Sequence, residues 1–355
     1  MMGKKRRFLI CVLLSATVLN CTACSAFSSH DNADKGMSYL ESHEYTAALE
    51  SFEEAIALGE NKHITYRGLG IAYLELGRYE EAVSALLTSL SSSSGIATSV
   101  DFDTNFYLAE CYSKLEQYSE AISVYDAIIA LRPKDTTACY LRGVAYLKTG
   151  NHDSAMEDFN KAISLSPRDY DMMITIYKAL SENGYEDEGL AILQSAMNQN
   201  DQFMTNYEKG QISFYLGNNA DAQSYLELAR NERDTDKAPV VLLLGQTGEN
   251  QGDYNYAISV YKTFLTEDAN HADIYNQLGI CQMKMGEYED AIQSFDSGLS
   301  LDDESMNQAL MLNKITAYEY FGDYTTALSL MESYLTMYPD DASAKREYIF
   351  LSTRA

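Results

Sequence analysis

The chain has no tryptophan, only four prolines, and 26 lysines and arginines against 52 aspartates and glutamates, a formal net charge of −26 over 355 residues. So few basic side chains exclude nucleic acid as a partner, because that binding rests on Lys and Arg neutralising phosphates. Of the six cysteines, Cys111, Cys139 and Cys281 show no CxxC and no Cys/His spacing, and five histidines never pair at metal-ligand spacing, which argues against a zinc site. No G-x-S-x-G marks a nucleophile. Gly245 to Gly252 looks like a phosphate loop but lacks the Lys-Ser/Thr that follows its last glycine. No catalytic constellation and no cofactor motif is left. Hydrophobic residues make up 46%, enough to fold, and 28 tyrosines beside four prolines suggest one small unit copied many times.

The first residues read as an address. Lys4-Lys5-Arg6-Arg7 precede an apolar run of twelve, Phe8 to Leu19. A spanning helix takes about 20 apolar residues, so the run has the length of a signal-peptide core. Asn20-Cys21-Thr22-Ala23-Cys24 places small residues before a cysteine and resembles the lipobox of bacterial lipoproteins. The resemblance implies lipidation at Cys24, with 1–23 removed and 24–28 as a short tether. It also implies an exported chain on the outer face of a bacterial membrane. One departure is Cys21, where that family usually has Leu. Loss of 1–23 takes four basic residues and leaves a net charge of −30. A Cys111–Cys139 disulfide is then open to the exported chain.

Self-similarity organises the remainder. In Thr136 to Pro167, Gly143, Tyr146, Gly150, Ala155, Phe159, Ala162 and Pro167 fall at positions 8, 11, 15, 20, 24, 27 and 32. The frame recurs from starts at 29, 63, 102, 136, 170, 203, 238, 272 and 308. Thirteen of the 20 glycines sit at positions 8 and 15, and three of the four prolines at 32. Position 20 is alanine except for Gly189. The pattern resembles the tetratricopeptide repeat, a 34-residue helix–turn–helix unit, without its usual Trp. The resemblance implies an all-α fold: a right-handed α-solenoid of nine repeats over 29–340, with a capping helix in 341–355. Small residues at 8 and 20 suit a close helix crossing, glycine at 15 ends the first helix, and proline at 32 ends the second.

The departures carry information too. Repeat five has Tyr177 at position 8 and Gly189 at position 20, so its crossing is repacked and a bend is expected there. Ser91 to Ser99 reads as a longer flexible loop. In the last helix, Lys345 and Arg346 are expected to face water while Tyr348, Ile349 and Leu351 cover the final repeat.

In the family it resembles, first helices line a concave groove through positions near 2, 5, 9 and 12. That correspondence makes Arg67, Ile71, Phe106, Tyr140, Val144, Tyr207, Phe214 and Asn276 the candidate partner-binding residues. The partner it implies is a protein or an extended peptide. Ile71 and Glu110 stand where a carboxylate clamp needs Asn, which argues against C-terminal peptide capture. The favoured reading is a lipid-anchored extracytoplasmic scaffold serving envelope or surface complex assembly. The alternatives are a solute-binding or enzymatic protein in the same shell, and self-association through the repeat ends.

Overall fold

The computed structural model describes residues 32–93 and 95–355, the side chains of 200 and 201 excepted. The signal segment, Cys24 and the tether lie outside the described residues. The described residues form helices and no strand, and no helix among them is long and apolar enough to cross a membrane. They fall into two units that divide between Ile192 and Leu193.

In the first unit the helices are α1 (Asn32–Glu41), α2 (Tyr45–Leu58), α3 (Lys62–Glu75), α4 (Tyr79–Ser91), α5 (Ser99–Lys114), α6 (Tyr118–Leu131), α7 (Thr136–Lys148), α8 (His152–Leu165) and α9 (Tyr170–Glu182). The division falls within α10 (Glu186–Asn200), which a 3₁₀ turn over Asp201–Phe203 follows. The second unit continues with α11 (Asn206–Tyr215), α12 (Asn219–Arg230), α13 (Lys237–Asn250), α14 (Tyr254–Glu267), α15 (Ala272–Met285), α16 (Tyr288–Leu299), α17 (Glu304–Phe321), α18 (Tyr324–Met337) and α19 (Ala342–Ser352). Each unit is an α-solenoid in which consecutive helices pack on one another, from α1 to α9 in the first and from α11 to α19 in the second.

The crossing inside a helix pair follows from three side chains. On α8, Ala155 is fully buried and lets α7 approach; Phe159, one turn on, is also fully buried. Its ring fills the space over Gly143 of α7, where an added Cβ would lie 2.6 Å from Phe159 Cε1. Gly36 under Phe52, Gly70 under Leu86 and Gly210 under Leu226 repeat the arrangement. Burying one such side chain stabilises by roughly 1.5–3 kcal/mol. Repeat five inverts it: Tyr177 takes the large role, and a Cβ on Gly189 would lie 3.1 Å from Tyr177 Cα. Repeat nine uses Ile315 against Met331, both buried.

The chain reverses at position 15 in the left-handed conformation. Gly77, Gly150, Gly184, Gly217, Gly252, Gly286 and Gly322 have φ between +72° and +92°. His43 and Glu116 occupy the same position with φ of 59° and 58° despite carrying a Cβ. Second helices end just before Pro133, Pro167 and Pro339.

Two details depart from the sequence expectation. The stretch through Ser99 is not all loop, because α5 begins at Ser99: Thr98 accepts from Asp101 N while the Asp101 carboxylate accepts from Thr98 N, a reciprocal cap. On α19, Leu351 is buried and Tyr348 packs on the last repeat, but Ile349 is 64% exposed and Ala344 takes the buried place. Ala344 and Leu351 are seven residues apart, two turns on one face; Ile349 points elsewhere.

Two substitutions test these constraints. Glu116→Gly removes the left-handed penalty and is expected to stabilise by about 1 kcal/mol, read as a higher urea midpoint. Gly143→Ala, which has to displace the Phe159 ring, is expected to destabilise by about 1–3 kcal/mol in the same assay.

Candidate functional site

Successive first helices touch one another within each unit: α1 with α3, α3 with α5, α7 with α9, then α11 with α13, α13 with α15 and α15 with α17. Successive second helices come less close among the described residues. Layers that approach on one side and splay on the other curve, so first helices form the inner face of each unit.

Six candidates have half-buried side chains on or beside that face: Arg67, Phe106, Tyr140, Val144, Tyr207 and Phe214. Phe106, Tyr140 and Val144 pack on the core of the first unit, and Tyr207 and Phe214 on that of the second. Two candidates are corrected. Ile71 is 2% exposed and belongs to the core around Phe52 and Leu86. Asn276 is 7% exposed, and its Oδ1 accepts a 2.8 Å hydrogen bond from Asn313 Nδ2, which ties α15 to α17. Position 9 of repeat two and position 5 of repeat eight face the neighbouring first helix rather than the groove. Spacing alone does not separate these two directions.

In the first unit the inner face brings aromatics and carboxylates together. The Arg67 guanidinium lies 5.6 Å from the Tyr107 ring centre, and its Nε is buried without a hydrogen-bond partner. Burial raises the Tyr107 hydroxyl; Arg67 opposes the shift, and the carboxylates of Asp103, Glu110 and Glu75 add to it. Burial also raises the Glu110 carboxyl; Lys114 opposes and Glu75 adds. The Phe106 ring is 6.3 Å from that of Tyr125 and the Tyr140 ring 6.1 Å from that of Phe159, which anchors both on the core. Burial, and after it the Glu182 carboxylate, push the Tyr140 hydroxyl up to about 12. The result is a strip of aromatic surface edged by the half-buried Glu110 and the exposed acids Glu75 and Glu182. Sequence reasoning missed Glu75 and Glu182, both at position 13. They stand one helical turn beyond position 9, a signal that was available.

Other polar clusters serve packing. Arg142 of α7 grips Asp158 of α8 with two hydrogen bonds, at 2.7 and 2.6 Å, and reaches Asp126 of α6 at 2.5 Å. In the second unit the Tyr261 hydroxyl donates to Glu249 at 2.8 Å. Cys111, Cys139 and Cys281 are free and buried, so the Cys111–Cys139 bridge is not formed; the two thiols sit in separate core clusters. No group of three or more His, Cys, Asp or Glu among the described residues could hold a metal ion.

Comparison with known proteins agrees with this geometry. Family models described as tetratricopeptide repeat match residues 33–95, 108–174 and 250–313, together more than half of the chain. A DnaJ homolog subfamily C member 7 homolog from Dictyostelium discoideum is 22% identical over 228 residues, 64% of this chain and 39% of that protein. A TPR repeat-containing protein from Methanocaldococcus jannaschii is 23% identical over 259 residues, 68% of this chain and 43% of that protein. The chain thus spans less than half the length of these relatives. Yeast Tom70 has a similar fold, with a TM-score of 0.51 at 14% identity, over 91% of this chain and 87% of that one.

The correction at Asn276 has a measurable consequence. Asn276→Ala, which leaves the Asn313 amide without its acceptor, is expected to cost about 1 kcal/mol of stability. Thermal unfolding reads that loss, and partner binding is expected to stay unchanged.

Proposed function

The chain belongs to the tetratricopeptide repeat family, and on that premise we propose that it is a non-enzymatic scaffold that holds a protein or extended peptide against the inner face of its first unit. The carrying observation is the strip in which the half-buried Phe106 and Tyr140 stand among Glu75, Glu110 and Glu182. Half-buried aromatics fixed on a core offer apolar contact at little entropic cost, and aromatics dominate binding energy at protein interfaces. The acids beside the rings, half-buried at Glu110 and exposed at Glu75 and Glu182, favour a segment that brings both apolar and polar side chains. The acidic surplus outside the strip keeps the outer face soluble.

The proposal includes export and a lipid anchor at Cys24, supported by the basic start, the short apolar run and the lipobox-like cysteine. Eight chain steps, through seven intervening residues, separate Cys24 from Asn32 at the start of α1. At about 3.3–3.6 Å each they reach no further than roughly 29 Å, which would hold the first repeats near the membrane surface. Repulsion between the acidic chain and anionic headgroups would turn the solenoid outward. Assembly of envelope or surface complexes fits such a position.

Photocrosslinking in living cells tests the groove. A photoreactive residue at Tyr140 is expected to capture a specific protein, and one at Leu87, exposed on α4, is not. Capture from Leu87 alone would sink the inner-face reading. Metabolic labelling with a palmitate analogue tests the anchor separately: Cys24→Ala is expected to abolish labelling, and retained label would move the lipid elsewhere.

A further inference from the structure

A cavity lies away from that strip, at the C-terminal end of the second unit. Helices α17, α18 and α19 surround an open space of about 500 Å³. Three aromatic rings line it: Tyr320, Tyr324 and Phe350. Tyr320 is 66% exposed yet held in place, its ring stacked at 5.8 Å on Tyr288 of α16. Two carboxyls also line the cavity, Glu319 from α17 and Glu347 from α19, and they hydrogen-bond to each other. Two carboxylates cannot share a hydrogen bond unless one carries a proton. Burial first, then the charge and hydrogen bond of Glu347, push Glu319 up to about 7.

The other charged and titratable groups around the pair are accounted for. Asp341 caps α19 through Ser343 N and Ala344 N, and accepts from Tyr334 Oη at 2.7 Å. From α18 comes the Tyr324 hydroxyl. The Arg354 guanidinium lies 4.0 Å from the Phe350 ring centre and 5.8 Å from that of Tyr324. Those two rings therefore already receive a guanidinium. A cation seated between the two carboxyls would satisfy both of them.

We propose that this cavity binds an organic cation, the ammonium or guanidinium of a Lys or Arg side chain from a partner protein, seated between Glu319 and Glu347 and faced by Tyr320, a lining ring that Arg354 does not already cover. Each part has a physical role. Paired carboxylates accept charge-assisted hydrogen bonds, about twice as strong as neutral ones. Aromatic faces attract a cation by about 0.5–2 kcal/mol each, more as water is excluded. A protein segment is favoured over a free amine because Tyr320 and Phe350, both exposed and both lining the cavity, add apolar surface that a small amine leaves uncovered. Below neutral pH the entering cation displaces the shared proton, so one proton leaves per cation bound. Affinity therefore rises from pH 5.5 to pH 8, where the proton is already gone. This site does not depend on the inner-face strip, and either could fail without the other.

Calorimetry on the full chain tests it with four probes: a blocked Gly-Lys-Leu peptide, its Arg counterpart, its acetyl-lysine counterpart, and butylammonium. Both basic peptides are expected to bind, several-fold more tightly at pH 8 than at pH 5.5, with the acetyl-lysine peptide at least about tenfold weaker. Glu319→Gln and Glu347→Gln are each expected to weaken the basic peptides at pH 8 by about tenfold. A ¹³C titration of Glu319 is expected to show its pKa falling when peptide is present. Equal binding of the acetyl-lysine peptide, or no loss in both glutamine variants, overturns the proposal, and so does an absence of binding at pH 8. Butylammonium binding as tightly as the peptides overturns the assignment to a protein segment. Folding is checked by melting. The raised carboxyl contributes stability that is complete below about 4.5 and lost as pH rises through about 7. Glu319→Gln should therefore melt no lower than the parent chain at pH 5.5, and higher at pH 8.

Discussion

The close crossing inside each helix pair is the constraint on which the rest depends. A residue with little or no side chain on the first helix lies under a ring or branched aliphatic from the second, and a buried alanine lets the two backbones approach. Tight packing makes the arrangement intolerant of extra atoms but indifferent to which partner supplies the bulk. Phe159 over Gly143 and Tyr177 beside Gly189 are the same solution with the roles exchanged. Once the crossing is set, the turn at position 15 follows, and it has to be left-handed even where His43 or Glu116 occupies it.

Much of the fold was legible in the sequence for that reason. The columns at 8, 20 and 24 are the crossing itself, and a repeated geometric demand leaves a repeated residue. Helix starts were harder to place. The cap that opens α5 uses Thr98 and Asp101, and the one that opens α11 uses Thr205 and Glu208. These local motifs recur in no column, so a search for repeats passes over them.

The site was legible only in part. Periodicity says which residues leave the helix on the inner side, and Phe106 and Tyr140 do. It does not say how closely the next first helix approaches, and that distance buries Ile71 and pairs Asn276 with Asn313. Glu319 and Glu347 stand 28 residues apart on non-adjacent helices, and only the packing of α19 brings them face to face. The acidic composition also changes meaning. Asp135, Asp169, Asp236, Asp253, Asp303, Asp323 and Asp341 each accept hydrogen bonds from the first backbone amides of a helix. Part of the negative charge is thus the cost of starting so many helices, stabilised by the positive end of each dipole.

The three buried thiols bear on where such a protein can work. Burial pushes Cys111 up to about 12, and it raises Cys139 and Cys281 as well. Thiols of this kind are neither nucleophiles nor ready targets of oxidants. Small exported domains commonly rely on cross-links because their cores are slight. Here the stacking of one repeat on the next takes that part, and none of the three thiols needs to pair. The fold of the described residues is insulated from redox chemistry: an oxidising and a reducing compartment would meet the same packed helices.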